Sequence, residues 1–350
     1  MHLKELSEAF GVSGCEDEVR EVIIEAIKEH VDDYHVDSLG NLIAVKKSHR
    51  PSAISHLPKV MLAAHMDEVG LMITHIEKDG SLRFRPVGGI DDRILLSKAV
   101  LIGKDRIPGV IGVKPIHLLK EKEREKVVKV EEMAIDIGAS SREEAEKLVK
   151  LGDYAAFATK FVELGNTVKG KAFDDRAGCA VLIELLREDY PFDLYAAFTV
   201  QEEVGLRGAR VAAYAIEPDI AFVLEGTVCD DLPKKRDVSP TTRLGGGPAI
   251  TLMDRTFIAD RRLVNLLVET AEENNIPYQF KQPVVGGTDA GAIHLTKEGV
   301  PSAVVAVPCR YIHSPACLLS LSDFENTVKL MKAALGKVSS TKLTSLSRSQ

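Results

Sequence analysis

The chain has 350 residues, which favours two domains because a single hydrophobic core rarely extends beyond roughly 250–300 residues. It carries 45 Lys and Arg against 52 Asp and Glu, so the formal net charge is −7. The basic residues are interspersed rather than gathered into a strip with aromatic residues, and we therefore expect no nucleic-acid partner.

The N-terminal segment and the cysteines indicate a cytoplasmic protein. Residues 1–10 form an amphipathic segment with Lys and Glu, and no continuous apolar run there has the length of a signal peptide or a membrane span. The five cysteines are an odd number without paired spacing, which argues against a disulfide framework. We expect reduced thiols, a cytoplasmic location and no membrane partner.

The N-terminal third predicts an α/β unit followed by a β-rich insertion. Residues 19–30 have apolar side chains at helical spacing, and residues 41–46 and 60–64 form two short strand-like runs. From residue 69 short β-rich runs alternate with Gly, Pro and Asp turns, which predicts a small inserted barrel or sandwich. Residues 119–132 are crowded with Lys and Glu and predict a solvated loop or helix face.

After residue 165 the pattern alternates between helices and strands. Helices are predicted at 176–188, 208–215, 260–274, 290–297 and 322–334, and strands at 193–200, 220–225 and 302–307. Such alternation favours a largely parallel sheet with helices on both faces. We therefore predict an α/β fold with a mixed, largely parallel sheet, and a ligand site beyond the carboxyl ends of its strands.

Histidines and acids occur next to several predicted elements. His65 ends an apolar run, and Asp67 is placed to orient its ring as the partner of a metal-bound histidine; a structural histidine is the alternative. Asp174 and Asp175 precede an apolar helix. A helix-capping role is the alternative for this pair, and one residue could cap while the other bridges metals.

A second group of acids and a histidine extends the pattern. Glu202 and Glu203 follow a strand and could divide the roles of general base and metal ligand, with an exposed acidic turn as the alternative. Glu225 is predicted at the end of the next strand, and His313 follows the apolar run 303–307. Charges at buried strand ends are costly unless something compensates them, as a pair of divalent cations would. Their joint occurrence predicts a two-metal hydrolase.

Six motifs give the chain a family resemblance. They are SGCE at 13–16, HMDEVG at 65–70, KAFDDR at 171–176, VQEEVGLRG at 200–208, GGTDAG at 286–291 and RYIHS at 310–314. Together they resemble those of the tetrahedral aminopeptidases, cytosolic dinuclear metallopeptidases that include glutamyl, leucyl and lysyl aminopeptidases. The resemblance implies a zinc-peptidase-like catalytic domain of residues 1–65 and 165–350, and an inserted β-barrel-like dimerisation domain of residues 66–164.

The resemblance also implies two divalent metal ions per subunit, zinc or cobalt. The implied ligands are His65, Asp174, Glu203, Glu225 and His313. Asp174 would bridge both ions, His65 and Glu225 would complete one site, and Glu203 and His313 would complete the other. Some family members have Asp at the place of Glu225, and this departure leaves the type of donor unchanged.

Two catalytic roles follow from the same resemblance. Glu202 would be the general base, and Asp67 would hold His65. The peptide bond between Asp174 and Asp175 would be cis. The expected reaction is the removal of N-terminal residues from short peptides by water activated between two metals.

The resemblance implies tetrahedral homododecamers assembled through the inserted domain. For the first residue of the substrate we expect neutral aliphatic (leucyl-type) side chains, with acidic ones as the alternative. Arg255 and Arg310 could attract an acidic side chain, but structural ion pairs are the stronger interpretation in this acidic chain. Residues 251–256 and 288–292 resemble the substrate-pocket loops of the family.

Two other functions are disfavoured. Family members have also been labelled as cellulases, but the chain has no Trp and only 5% aromatic residues, which argues against a sugar-stacking platform. A non-catalytic peptide-binding scaffold would be expected to lack one of the metal donors or the base. All of them are present here.

Overall fold

The computed structural model describes residues 2–48, 58–231, 242–281 and 286–338. Within this part the chain forms nine α-helices. They are α1 Leu3–Glu8, α2 Asp17–Ile27, α3 Glu121–Arg124, α4 Arg142–Ala145, α5 Phe173–Leu185, α6 Arg207–Ile216, α7 Arg261–Glu273, α8 Ala290–Ile293 and α9 Leu321–Lys337. None of the helices in these ranges combines the length and the apolar character needed to cross a membrane.

The same ranges contain 17 β-strands. They are β1 Asp33–Val36, β2 Leu42–Lys46, β3 Lys59–His65, β4 Gly70–Ile76, β5 Leu82–Val87, β6 Ala99–Ile102, β7 Ile107–Ile111, β8 Ile135–Asp136, β9 Tyr154–Phe157, β10 Val162–Leu164, β11 Thr167–Gly170, β12 Asp193–Thr199, β13 Ile220–Cys229, β14 Ala249–Thr251, β15 Gln279–Lys281, β16 Ser302–Arg310 and β17 Cys317–Ser320. Eleven of them form one sheet, and the other six close into a barrel.

The large sheet has a parallel centre. Its main path runs β1-β2-β12-β3-β13-β16-β17-β11-β10, and the four neighbours β12, β3, β13 and β16 are mutually parallel. Antiparallel strands flank this centre on both sides. The predicted α/β fold with a mixed, largely parallel sheet is therefore confirmed.

Helices cover both faces of the sheet, as β3 illustrates. Val60, Leu62 and Ala64 belong to one buried cluster, together with residues of α5 and α9, whereas Met61 and Ala63 belong to another with residues of α6 and α8. Successive side chains of a strand point to opposite faces, so a strand buried on both sides is apolar at every position. This explains the continuous apolar run before His65.

The inserted β-rich segment forms a closed antiparallel barrel in the order β4-β5-β8-β7-β6-β9. Its apolar side chains form a core of their own, which includes Leu71, Phe84 and Val100. The predicted barrel is thus confirmed. The charged stretch 119–132 is largely exposed, apart from the buried Val130, and contains only short helical turns, as predicted.

The predicted end of the strand that carries Glu225 was wrong. Glu225 does not end its strand, because β13 continues to Cys229. The register gives the reason: β13 pairs with β3 only as far as Val223, opposite Ala63, but it pairs with β16 up to Cys229. Glu225 therefore lies just beyond the last residue that pairs with β3.

Candidate metal centre

Parallel strands bring the first residues of the site together. His65 and Thr199 are paired neighbours at the ends of β3 and β12, so the loop that carries Glu202 and Glu203 begins beside His65. A cleft of about 460 Å³ opens at this edge of the sheet. Its lining includes the predicted site residues Asp174, Glu202, Glu203, Glu225 and His313.

The carboxylate of Asp174 lies between two histidines. Its Oδ1 is 3.3 Å from His65 Nε2, and its Oδ2 is 3.4 Å from His313 Nε2. Each histidine has a further carboxylate nearby: Glu225 Oε2 is 3.6 Å from His65 Nε2, and Glu203 Oε1 is 3.3 Å from His313 Nε2. The structure thus brings all five predicted ligands into one cluster.

Two sets of donors are close enough to hold a cation each. Asp174, Glu203 and His313 form one set, and His65, Glu225 and Asp175 form the other, with ligand atoms within 4.8 Å of one another in each set. Asp175 differs from Asp174 in its partners: its Oδ2 accepts the N–H of His65 at 3.1 Å and its Oδ1 that of Gly178 at 2.9 Å. The peptide bond between Asp174 and Asp175 is cis, as the family resemblance implied.

The cluster concentrates negative charge in a buried space. Burial raises the pKa values of Glu202 and Glu225 well above the usual range of a glutamate. Burial also raises the pKa of Glu203 to about 7. Burial also opposes protonation of His313, but the hydrogen bond with Asp174 and the charge of Glu203 outweigh it and raise its pKa to about 9. So many carboxylates around two imidazoles call for additional positive charge.

An unpartnered atom supports the same conclusion. Glu225 Oε1 is buried, and no hydrogen-bond donor in the described ranges reaches it. Buried carboxylate oxygens are costly unless a donor or a cation compensates them. With imidazole nitrogens and carboxylate oxygens as neighbours, the residues present fit a pair of divalent cations such as zinc or cobalt.

Asp67 contacts more than the residue that the sequence suggested. His65 Nδ1 lies 3.1 Å from the main-chain oxygen of Asp67 and 3.4 Å from its carboxylate Oδ1. The same carboxylate accepts the backbone N–H groups of Glu202 at 2.9 Å and Glu203 at 3.1 Å, and the hydroxyl of Ser13 at 2.6 Å. Burial would raise the pKa of Asp67, but the hydrogen bonds from His65 and Ser13 outweigh it and hold the pKa below its usual range.

The sequence did not single out several residues that lie near the site. The buried carboxylate of Asp289 accepts a hydrogen bond of 2.5 Å from Thr199 Oγ1, while its other oxygen has no partner in the described ranges. Lys281 and Thr227 line the cleft. The GGTDAG motif was the signal available for Asp289, whereas nothing in the local sequence marks Lys281 or Thr227.

The two arginines weighed for substrate binding have different surroundings. Arg310 forms a two-pronged ion pair with Asp231, with distances of 2.6 Å and 2.8 Å, so its structural interpretation is confirmed. Arg255 is not among the residues that line the cleft in the described ranges. From the loops that resembled substrate-pocket segments, Thr256 and Thr288 line the cleft.

Comparison with known proteins identifies the family. Residues 40–330 match the sequence profile described as M42 glutamyl aminopeptidase. The chain belongs to this family. Among the family's curated relatives, a protein of Acetivibrio thermocellus that is provisionally named an aminopeptidase is 45% identical over 95% of this chain and 97% of its own length. The lysyl aminopeptidase of Pyrococcus furiosus is 37% identical over 95% of both chains, and the glutamyl aminopeptidase of Lactococcus lactis is 32% identical over 97% of both.

Solved structures agree with this assignment to the M42 family. An aminopeptidase of Desulfurococcus kamchatkensis superposes with a TM-score of 0.92 at 40% identity, covering 99% of this chain and 97% of its own. The TET1 peptidase of Pyrococcus horikoshii, which can assemble into a tetrahedron or a large octahedral shell, gives a TM-score of 0.84 at 37% identity over 96% and 98% of the two chains. The predicted resemblance is therefore confirmed, and the protein belongs to a family of peptide hydrolases.

Proposed function

We propose that the protein is a dinuclear metallo-aminopeptidase that removes N-terminal residues from short peptides. The observation that carries this proposal is the position of Asp174, whose two carboxylate oxygens each face a different histidine at 3.3 Å and 3.4 Å. Each of these histidines has another carboxylate beside it. Such an arrangement supports two cation sites that share one bridging carboxylate.

The proposed ligands are divided between the two sites. His65, Asp174 and Glu225 would hold one ion, and Asp174, Glu203 and His313 the other. We assign Asp175 to positioning, because both of its oxygens already accept backbone N–H groups. When bound, the two ions would polarise the scissile carbonyl and lower the pKa of a water molecule.

Glu202 is the proposed general base. Its carboxylate lines the cleft, and its Oε2 is 3.9 Å from His65 Nε2, while it belongs to neither set of closely spaced donors. A carboxylate in this place would accept a proton from the attacking water and donate it to the departing amine. Asp67 would keep Glu202 in place, because its carboxylate accepts a hydrogen bond from the backbone N–H of Glu202.

The wall of the cleft supports neutral aliphatic first residues. Leu206, Val228 and Ile312 line the cleft and provide apolar surface that would contact an aliphatic side chain. We therefore keep a leucyl-type preference as the first proposal for specificity.

A specific observation favours acidic first residues as the second candidate. Lys281 is the one Lys or Arg among the described residues that line the cleft. Thr227, which is 2% exposed, also lines the cleft, and its buried hydroxyl has no partner in the described ranges. An ammonium group and a free hydroxyl are suitable donors for a substrate carboxylate.

We also propose that residues 66–164 form an association domain, and that residues 1–65 and 165–350 form the catalytic domain. Exposed apolar side chains on and after the barrel strands support association: Val110 is 49% exposed, Ile116 68% and Leu118 60%. Because the family resemblance implies dodecamers and the TET1 peptidase can assemble into a tetrahedron, we propose a homododecamer. Sedimentation that shows only monomers under assay conditions would contradict this proposal.

We propose a cytoplasmic location as well. All five cysteines are free thiols in the structure, which suits a reducing compartment. Fractionation of the source cells, with detection of the intact protein, would test this.

A panel of aminoacyl p-nitroanilides tests the reaction class. Leu, Glu and Lys substrates would each be paired with the N-acetylated form as a matched control, with zinc or cobalt added, and metal content would be measured in parallel. We expect hydrolysis only of the free-amine substrates and about two metal ions per chain. Equal hydrolysis of acetylated substrates would exclude an aminopeptidase, and a folded protein that binds no metal would favour the non-catalytic scaffold.

A further inference from the structure

The N-terminal turn of residues 13–16 contacts the machinery of the site. Ser13 Oγ donates a hydrogen bond of 2.6 Å to Asp67 Oδ2, and the two residues are 4% and 0% exposed. The Asp67 carboxylate in turn accepts the backbone N–H groups of Glu202 and Glu203. Ser13 is therefore connected, through the Asp67 carboxylate and two successive hydrogen bonds, to the loop that carries the proposed base and a proposed ligand.

Glu16 contacts the same loop one residue earlier. It is 4% exposed, and its Oε1 accepts the N–H of Gln201 at 3.2 Å and the N–H of Gly14 at 2.7 Å. Gln201 has a positive φ of 55°, a conformation that needs local support in a non-glycine residue. Two buried carboxylates, Glu16 and Asp67, thus bind three consecutive N–H groups, at residues 201, 202 and 203.

The turn itself is held from two sides. The N–H of Ser13 donates to the carbonyl of Glu68 at 3.3 Å, and the N–H of Glu68 donates to the carbonyl of Gly11 at 2.8 Å. On the barrel side, a Cβ added to Gly14, which has a φ of +90°, would lie 2.6 Å from the Tyr154 hydroxyl oxygen. The positive φ favours glycine at this position, and any larger residue would also have to displace the Tyr154 hydroxyl.

We propose that Ser13 and Glu16 are positioning residues, which clamp the backbone of residues 201–203 and so fix where Glu202 and Glu203 point. The physical reason is that a buried carboxylate stays in one orientation only while its hydrogen bonds are satisfied. Without the Ser13 hydroxyl, the N–H of Glu203 is the one hydrogen-bond donor to Asp67 Oδ2 that remains in the described part of the chain. The catalytic consequence rests on the proposed function, whereas the clamp itself does not.

Three variants and a control separate the clamp from general stability. Ser13→Ala removes the hydroxyl, Glu16→Ala removes the acceptor, and Glu16→Gln keeps an acceptor oxygen at the same length. Ser140→Ala is the matched control, because Ser140 is exposed and lies in the inserted segment.

Hydrogen exchange on the metal-free protein tests the clamp without any reference to activity. We expect the amides of residues 201–203 to exchange about tenfold faster or more in Ser13→Ala and Glu16→Ala. In Glu16→Gln and Ser140→Ala, the amides of residues 201–203 should exchange as in the unaltered protein. The amides of helix α9 should be unchanged in every variant. Unchanged exchange at 201–203, or an equal acceleration in α9, would overturn the proposal.

Steady-state kinetics on the metal-loaded protein tests the catalytic consequence. We expect kcat to fall by about 10- to 100-fold in the two alanine variants, with KM changed by less than about threefold. Glu16→Gln should retain most of the turnover. A loss confined to KM would overturn the positioning role. If the unaltered protein hydrolyses no peptide, the proposed function fails, while hydrogen exchange still decides whether the clamp exists.

Discussion

Lys171 and Glu68 form an ion pair inside the protein, with 2.5 Å between Lys171 Nζ and Glu68 Oε1 and side-chain exposures of 5% and 3%. The guanidinium of Arg176 lies 3.4 Å from the same carboxylate oxygen. Backbone carbonyls complete the network, since Lys171 donates to Ala9 and Arg176 donates to Met66 and Leu6. The network therefore ties the N-terminal segment to residues adjacent to Asp67 and Asp175.

Removal of the lysine charge should destabilise the protein. Lys171→Met keeps the length of the side chain but leaves Arg176 as the one cationic partner of Glu68 among the described residues. We expect the free energy of unfolding, measured by urea denaturation, to fall by about 3 kcal/mol. Lys147→Met, at an exposed position, is the control and should change it by less than about 0.5 kcal/mol. Equal stabilities of the two variants would show that the buried pair makes no net contribution.

Substitution of the proposed base should separate turnover from metal binding. Glu202→Gln keeps the size of the side chain but cannot accept a proton, so we expect kcat to fall by at least about 100-fold while two metal ions remain bound. Turnover of a p-nitroanilide and metal analysis of the same preparation check this. Glu163→Gln, on the exposed strand β10, should behave as the unaltered protein. Near-normal turnover in Glu202→Gln would rule out its role.

Removal of the proposed bridging carboxylate should affect both proposed cation sites at once. Asp174→Asn replaces a group that faces both His65 and His313, and we expect the loss of both metal ions together with activity. Glu225→Gln should weaken one site and leave the other occupied. Metal content after dialysis against a weak chelator measures this, with the exposed Asp105→Asn as control. Two ions bound to Asp174→Asn would contradict the shared ligand.

The charge of Lys281 should influence the choice of substrate. Lys281→Met removes the one Lys or Arg among the described residues that line the cleft. If the cleft takes acidic first residues, kcat/KM for a Glu substrate should fall about tenfold relative to a Lys substrate, because the attraction to the carboxylate is lost. Lys150→Met, exposed and remote, is the control. An unchanged ratio would leave the aliphatic preference as the better proposal.

Alkaline pH should destabilise the protein partly through Cys229. Burial raises the pKa of this thiol from 9.0 to about 12. Because the folded state binds the proton more tightly, the stability contribution is fully present below pH 9.0 and is lost as the pH rises towards 12. Between pH 9.0 and about 12, the free energy of unfolding should fall by about 1.4 kcal/mol per pH unit through this thiol. We expect the difference in free energy of unfolding between the unaltered protein and Cys229→Ala, measured by urea denaturation at several pH values, to change with this slope. A difference that stays constant with pH would contradict the prediction.

The sequence by itself determined the alternation of helices and strands, and it showed which predicted helix or strand lies next to most of the site residues. The apolar run before His65 and the strand before Glu202 are local patterns, because burial on both faces of a sheet dictates an apolar residue at every position. The family resemblance then implied metal-ligand roles for Asp174, Glu225 and His313. The end of strand β13 was misplaced, because its length depends on pairing with β16 rather than on its own residues.

Only the tertiary structure decided which distant groups touch. The hydroxyl of Ser13 reaches Asp67 across 54 residues of sequence, and Asp67 reaches the N–H of Glu202 across 135. Lys281 reaches the cleft from strand β15, which the sequence did not predict. Local sequence carries the period of a helix or a strand, whereas a single hydrogen bond between remote segments depends on how whole layers pack, and a short stretch of residues carries no signal for that.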